Sequence, residues 1–247
     1  MLGIIGGSGL TELASLDGIH REVVRTPYGE PSGPIVHGRM RGREVLFLPR
    51  HGHGHTIAPH EVNYRANIWA LREQGATRVV AVASVGGIRT DLGPGVLALP
   101  EQIIDYTYGR RMTFYERSGE PVRHVDFTHP YCETLRVALR EAAGRAGEAV
   151  VEGGVYAATQ GPRLETAAEI ERLARDGADM VGMTGMPEAA LARELDLCYA
   201  AIAVVANHAA GRGASAQGIV MQDINAVLPQ AMVRVRRILE ALAAEAA

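Results

Sequence analysis

Short apolar, β-branched runs alternate with longer amphipathic ones along this chain, and that alternation limits it to a layered α/β architecture. Leu2–Ile5, Val45–Leu48, Arg78–Ser84, Val150–Ala158, Asp179–Met183 and Cys198–Asn207 read as strands, being short and bounded by Gly, Pro or Asn. Between them His60–Gln74, Pro130–Ala146, Glu165–Arg175 and Pro187–Asp196 read as helices, two of them opening on proline, whose missing N–H costs nothing in a first turn. A last helix is expected from about Met221 to the C-terminus, with Pro229 kinking or restarting it. The pattern predicts helices on both faces of a mixed, largely parallel central sheet. Since no composition break or repeat divides the 247 residues, a single domain over 1–247 is expected.

Composition narrows the functional class. A formal charge of −3, one Trp and three Phe argue against a nucleic-acid surface, which shows a basic excess interleaved with aromatics. No apolar run reaches the roughly 18 residues needed to span a bilayer, and Met1–Ile5 runs straight into glycines with no leader-like pattern, so a soluble, cytoplasmic protein is expected. Cys132 and Cys198 stand far apart with no metal-ligand spacing, so buried, reduced thiols are expected rather than a disulfide.

In open α/β sheets ligands bind beyond the carboxyl ends of strands. Gly6–Gly9, Arg50–His51, Ser84–Gly87, Met183–Thr184 and Asn207 all fall at such ends, so a single convergent site is expected. The opening LGIIGGSGL is not a dinucleotide fingerprint, because Glu12 stands where the third glycine belongs. It is either a plain tight turn or a nest of N–H groups, with the Ser8 hydroxyl, suited to a phosphate. Arg50 offers a planar fork for two phosphate oxygens, and His51 beside it a further donor. The alternating His51, His53 and His55 invite a metal, but no clustered carboxylate accompanies them and none is assigned.

The stretch FLPRHGHGHTIAPHEVNYRANIWAL, Phe47–Leu71, holds four of the nine histidines of the chain. It resembles the RHG…H.I.P..VNY.ANI.AL signature of the methylthioadenosine and purine nucleoside phosphorylase family. That resemblance implies a nucleoside phosphorylase-like fold, no metal and no cofactor, inorganic phosphate as co-substrate, and commonly a homotrimer with the site near the subunit boundary. On the family pattern Ser8, Arg50, His51, Ser84 and Thr184 hold phosphate. Ala83 replaces a hydroxyl residue of many members, which leaves the backbone N–H at Ser84. Met183, otherwise a core methionine, would pack under the sugar.

The same resemblance makes Glu165 and Asn207 base readers; without it, Glu165 is a first-turn helix residue and Asn207 a turn former. The family divides here. Members acting on 6-aminopurines carry Asp at the position of Asn207 and a small hydroxyl residue at that of Glu165, whereas 6-oxopurine members carry Glu and Asn. Hydrogen-bond chemistry agrees, since N1 of a 6-oxopurine carries a proton for the Glu165 carboxylate while N1 of adenine is an acceptor. Ala209, where 6-amino members have a second aspartate, points the same way, and His208 lies between the two positions. Phosphorolysis of 6-oxopurine nucleosides is therefore expected. The strip Val220, Met221 and Ile224, with His124 from a neighbouring subunit, matches the 5′ pocket; three apolar side chains favour a methylthio group over a hydroxyl, unless the strip is ordinary helix packing.

Overall fold

The computed structural model describes residues 1–13, 15–116, 119 and 122–245. In chain order the strands are β1 (Leu2–Gly6), β2 (Asp17–Glu22), β3 (Ile35–Met40), β4 (Arg43–Pro49), β5 (Arg78–Gly87), β6 (Leu97–Leu99), β7 (Gln102–Asp105), β8 (Val151–Glu152), β9 (Val155–Ala158), β10 (Met180–Gly182) and β11 (Cys198–His208). The helices are α1 (Tyr64–Glu73), α2 (Glu133–Arg145), α3 (Ala167–Arg175), α4 (Gly185–Glu194) and α5 (Met221–Ala243). The strands form one sheet with a main path β2-β3-β4-β1-β5-β10-β9-β7, and β11 attaches to β5. Pairings β1–β4, β1–β5, β5–β11, β9–β10, β7–β9 and β6–β8 are parallel, and β2–β3, β3–β4, β5–β10 and β6–β11 antiparallel. The mixed, largely parallel sheet expected from the alternation is the one observed.

The ten-residue β5 is where the sheet forks. β11 follows one edge of it from Arg78 to Gly87. On the other edge β1 pairs only with Arg78–Ala81, and β10 joins antiparallel at Gly86 and Gly87. Among the described residues Val82–Val85 have no strand neighbour on that edge, so their backbone groups must find other partners. This gap is the switch point around which the site is built.

The two faces carry separate apolar layers. On one, Tyr64, Ile68 and Leu71 of α1 and Ala189, Leu191 and Ala192 of α4 pack with Leu46, Leu48, Val79 and Ala81 of the sheet. On the other, Leu135 and Leu139 of α2 and Leu228, Met232, Val235, Ile238 and Leu239 of α5 cover Ile4, Phe47, Val80 and Ile202. Successive sheet residues therefore face different layers and residues two apart share one, as the strand period requires.

Several boundaries differ from expectation. Asn63 caps α1, its side chain accepting from the Ala66 N–H at 3.1 Å, so the helix opens at Tyr64 rather than His60. The run Val150–Ala158 is two strands, because Gly153 and Gly154, at φ of 78° and 100°, turn the backbone between them. Pro130 precedes the Cys132 cap of α2 instead of opening the helix. α5 runs unbroken through Pro229 and does not restart, at the cost of one helical acceptor left without its N–H; the chain end at 246–247 lies outside the described residues. The expectation of free thiols is overturned, since Cys132 and Cys198 form a disulfide. The Cys132 N–H donates to the Tyr199 carbonyl at 2.7 Å, which draws the start of α2 onto the start of β11 and sets the two Cα atoms 5.1 Å apart. A sequence separation of 66 residues carries no trace of that proximity.

Candidate active site

The five strand ends expected to converge line one cavity of about 460 Å³, within the range of small-molecule sites, about 300–1,000 Å³. At one end β1 gives way to Gly7 and Ser8. A Cβ at Gly7 would lie 2.5 Å from the Val82 carbonyl oxygen and 3.0 Å from Arg50 Nη1, so only glycine lets the first turn approach the gap in β5. Arg50, at the exit of β4, anchors its N–H to the Gly6 carbonyl at 2.9 Å.

The Arg50 side chain is 1% exposed. Its Nε and Nη2 donate to Glu188 Oε2 and Oε1 at 2.7 and 2.9 Å, and Nη1 donates to the Val82 carbonyl, freed by the fork, at 2.9 Å. The Tyr199 hydroxyl donates to Glu188 Oε1 at 2.8 Å. Burial works against the guanidinium charge, but Glu188 outweighs it and holds Arg50 above its ordinary range. The fork expected to grip two phosphate oxygens side-on is thus taken by Glu188. Two of the five Arg50 N–H groups remain, and the pair carries no net charge.

His51 Nδ1 lies 2.9 Å from the Ile57 carbonyl oxygen, which can only accept, so Nδ1 carries the proton. Burial, then the charge of Arg50, pushes the ring down to about 4, so at neutral pH it is uncharged. Nε2 of the neutral ring is consequently an acceptor. His51 is suited to a phosphate or sugar hydroxyl rather than to the donor role expected of it. His55 and Thr56 also line the cavity; His55 Nε2 is 3.4 Å from Ser8 Oγ, and burial followed by Arg50 lowers its pKa. His53 lines a different cavity, with Glu12, Leu13 and Phe47, so the three alternating histidines do not converge. Ser84 donates from Oγ to the Ser8 carbonyl at 3.4 Å, Ala83 contributes only its methyl and backbone, and buried Thr184 sits at the start of α4 with no capping bond from its hydroxyl.

At the other end, Thr166 and Glu169 form a reciprocal capping box that opens α3 at Ala167. Glu165 is therefore outside the helix, and Glu169 takes the first-turn role. Thr159 Oγ1 donates to Glu165 Oε1 at 2.6 Å. Asn207 follows a β-bulge, where the β11–β5 register shifts between Val205 and Asn207 and Ala206 is the extra residue. Asn207 Nδ2 donates to the His208 carbonyl at 2.6 Å, which leaves a second amide hydrogen and the amide oxygen for a ligand. Met183, Ala209 and Ile224 line the cavity as expected, joined by Ile219 and Leu228.

Four expected residues do not line the cavity. His208, next along the strand from Asn207, turns its ring against Gly93 and Gly213. Val220 and Met221 are 52% and 54% exposed at the start of α5, ahead of the turns whose Ile224 and Leu228 face inward. His124 is exposed on a connecting segment away from the cavity. Three residues that matter were missed from sequence. Glu188 is fully buried, and a lone acid inside the apolar run MPEAALA was the available signal, since a buried carboxylate demands a cation. Thr159 carried no signal. Arg110 is a buried arginine that donates to the carbonyls of Met183 and Met186 at 2.8 and 2.6 Å and of Thr159 and Gln160 at 3.2 and 2.9 Å, tying the two ends of the site together.

A probable S-methyl-5′-thioinosine phosphorylase of Xanthomonas campestris pv. campestris is 58% identical over 223 residues, 90% of this chain and 89% of that protein. A 6-oxopurine nucleoside phosphorylase of Pyrococcus furiosus is 48% identical over 215 residues, 85% of this chain and 80% of that protein. The solved methylthioadenosine phosphorylase of Schistosoma mansoni in complex with adenine superposes with a TM-score of 0.93 at 34% identity, covering 98% of this chain and 90% of that one. The phosphorylase superfamily matches residues 1–244, nearly the whole length, and the chain belongs to that family.

Proposed function

We propose that the protein is a pentosyltransferase that phosphorolyses 6-oxopurine nucleosides, with S-methyl-5′-thioinosine as substrate and hypoxanthine and 5-methylthioribose 1-phosphate as products. The observation that carries this reading is the meeting of Glu165 and Asn207 in one cavity with Ser8, Arg50, His51, Ser84 and Thr184. Phosphate held under the sugar places an oxygen against C1′ and stabilises the oxocarbenium character that develops there. The C1′–O bond forms as the C1′–N9 bond breaks, and the electron pair passes into the purine. The free amide hydrogen of Asn207 meets the charge growing at N7 or O6, and the Glu165 carboxylate accepts N1–H. Adenine presents an acceptor to that carboxylate, and an unpaired buried polar group costs about 1–3 kcal/mol.

Ile219, Ile224 and Leu228 support the methylthio group, because an apolar stretch of cavity wall suits a thioether better than a hydroxyl. The names of the relatives at 58% and 54% identity support the same substrate. The name of the Pyrococcus relative favours a second reading, an inosine/guanosine phosphorylase. The enzyme takes inorganic phosphate as co-substrate and no cofactor, acts in purine salvage in the cytoplasm, and assembles as a homotrimer whose neighbouring subunit brings His124 to the 5′ end. Exposed Val122 and Val125 flanking His124 support that assembly, and no helix among the described residues is long and apolar enough to cross a membrane.

Release of base from methylthioinosine, inosine and methylthioadenosine, each with and without phosphate, tests the proposal. Phosphate-dependent cleavage that favours methylthioinosine is expected. Preference for inosine would leave the base readers and remove the 5′ assignment, and preference for methylthioadenosine would overturn the base assignment.

A further inference from the structure

We infer that Thr159 is a specificity-determining positioning residue: its hydroxyl fixes the Glu165 carboxylate so that Oε2 alone is offered to the purine. The inference rests on the reading of Glu165 as the base reader. The terminal torsion of a glutamate is broad, so a carboxylate outside a helix needs an anchor to present one oxygen in one direction. Glu165 stands in the connection between β9 and α3, freed from the helix by the Thr166–Glu169 capping box. Its one close side-chain partner among the described residues is Thr159, 2.6 Å from Oε1.

Thr159 is itself immobilised. Its N–H donates to the Gly182 carbonyl at 2.8 Å, and Arg110 Nη2 donates to its own carbonyl at 3.2 Å. Its hydroxyl has two acceptors in reach, Glu165 Oε1 at 2.6 Å and the Gly182 carbonyl at 3.3 Å, and the shorter, charge-assisted contact takes the single proton. With Oε1 occupied by a donor from the protein, Oε2 faces the base as an acceptor held in place. A fixed acceptor rewards N1–H of a 6-oxopurine and rejects N1 of adenine. A carboxylate free to swing would lose the reward and relax the rejection together. Thr159 thus acts on base choice without touching the base, and its backbone bonds to Gly182 and Arg110, which lead towards the phosphate end, are kept when only the side chain is changed.

The test compares Thr159→Val, which keeps shape and removes the hydroxyl, with Thr159→Ser, which keeps the hydroxyl, measuring kcat/KM for methylthioinosine and methylthioadenosine and KM for phosphate. In Thr159→Val the preference for the oxopurine should fall about tenfold, the value of one hydrogen bond to a charged group, with KM for phosphate unchanged, and Thr159→Ser should restore it. An unchanged preference in Thr159→Val, a rise in phosphate KM equal to the loss in nucleoside turnover, or a serine variant no better than valine would each overturn the inference. If Thr159→Val does not melt cooperatively, Thr159→Ala is read by the same criteria. Wild-type protein with no oxopurine preference would instead sink the reading of Glu165 on which the inference stands.

Discussion

Replacing Glu188 by Gln removes the negative half of a buried ion pair while keeping its shape. Both side chains are essentially inaccessible, at 1% and 0% exposure, and the two donor–acceptor distances of 2.7 and 2.9 Å make the contact bidentate. Glutamine offers one acceptor where Glu188 offers two, and Tyr199 competes for it. Breaking such a pair from one side costs about 3–5 kcal/mol, because an uncompensated guanidinium stays buried. For a chain of this size each kcal/mol moves the melting midpoint by about 2–4 °C, so a fall of roughly 6–20 °C is expected. The freed charge points into the cavity, so saturating phosphate should raise the midpoint of Glu188→Gln by more than it raises that of wild type, phosphate supplying the missing anion. Scanning calorimetry with and without phosphate measures both effects, and Arg50→Met combined with Glu188→Leu is the control: an apolar pair should recover stability while losing phosphate binding. A Glu188→Gln midpoint within about 2 °C of wild type, or a double variant no more stable than the single, would show that the pair does not carry the stability assigned to it.

Two other outcomes follow from the same end of the site. Because burial and Arg50 push His51 down to about 4 from 6.5, the unfolded ring takes its proton first as pH falls. Its contribution is full above 6.5, is lost between 6.5 and 4 and is flat below, about 3 kcal/mol in all; denaturant unfolding of His51→Gln should show a shallower acid limb, and curves parallel to wild type across that window would contradict it. In Gly7→Ala the new Cβ would meet the Val82 carbonyl oxygen at 2.5 Å, so the first turn must move off the gap in β5, with a stability loss of about 1–3 kcal/mol and a raised KM for phosphate; an alanine variant with wild-type phosphate kinetics refutes the close approach.

Strands that run through the core were legible because their residues had to be apolar. β1, β4, β5 and β11 announced themselves in LGII, VLFL, RVVAVAS and CYAAIAVVAN. β2, read as nothing, is DGIHRE with almost every residue exposed, and β6 holds three residues, too short for a period to show, while β8 lies inside the run Val150–Ala158, whose break at Gly153 and Gly154 did not show. Pairing within the edge meander and the small strands is decided by neighbours rather than by their own side chains.

Local chemistry likewise placed the strand-end residues, since a glycine turn, an Arg-His pair and a Glu three residues after Gly-Pro are patterns within one segment. What those residues do to one another was decided by the fold alone. Arg50 and Glu188 are 138 positions apart, and nothing local says that three of the five guanidinium N–H groups are already taken. The carbonyl that turns His51 into an acceptor, the bulge that aims Asn207, the hydroxyl that grips Glu165 and the disulfide between Cys132 and Cys198 are all contacts between segments. Side-chain periodicity and turn chemistry are properties of neighbours along the chain, so sequence alone determined the class of fold and the strand ends that meet at one cavity. Hydrogen-bond direction, proton position and charge compensation depend on what lies across a few ångströms of space, and only the tertiary structure decided those.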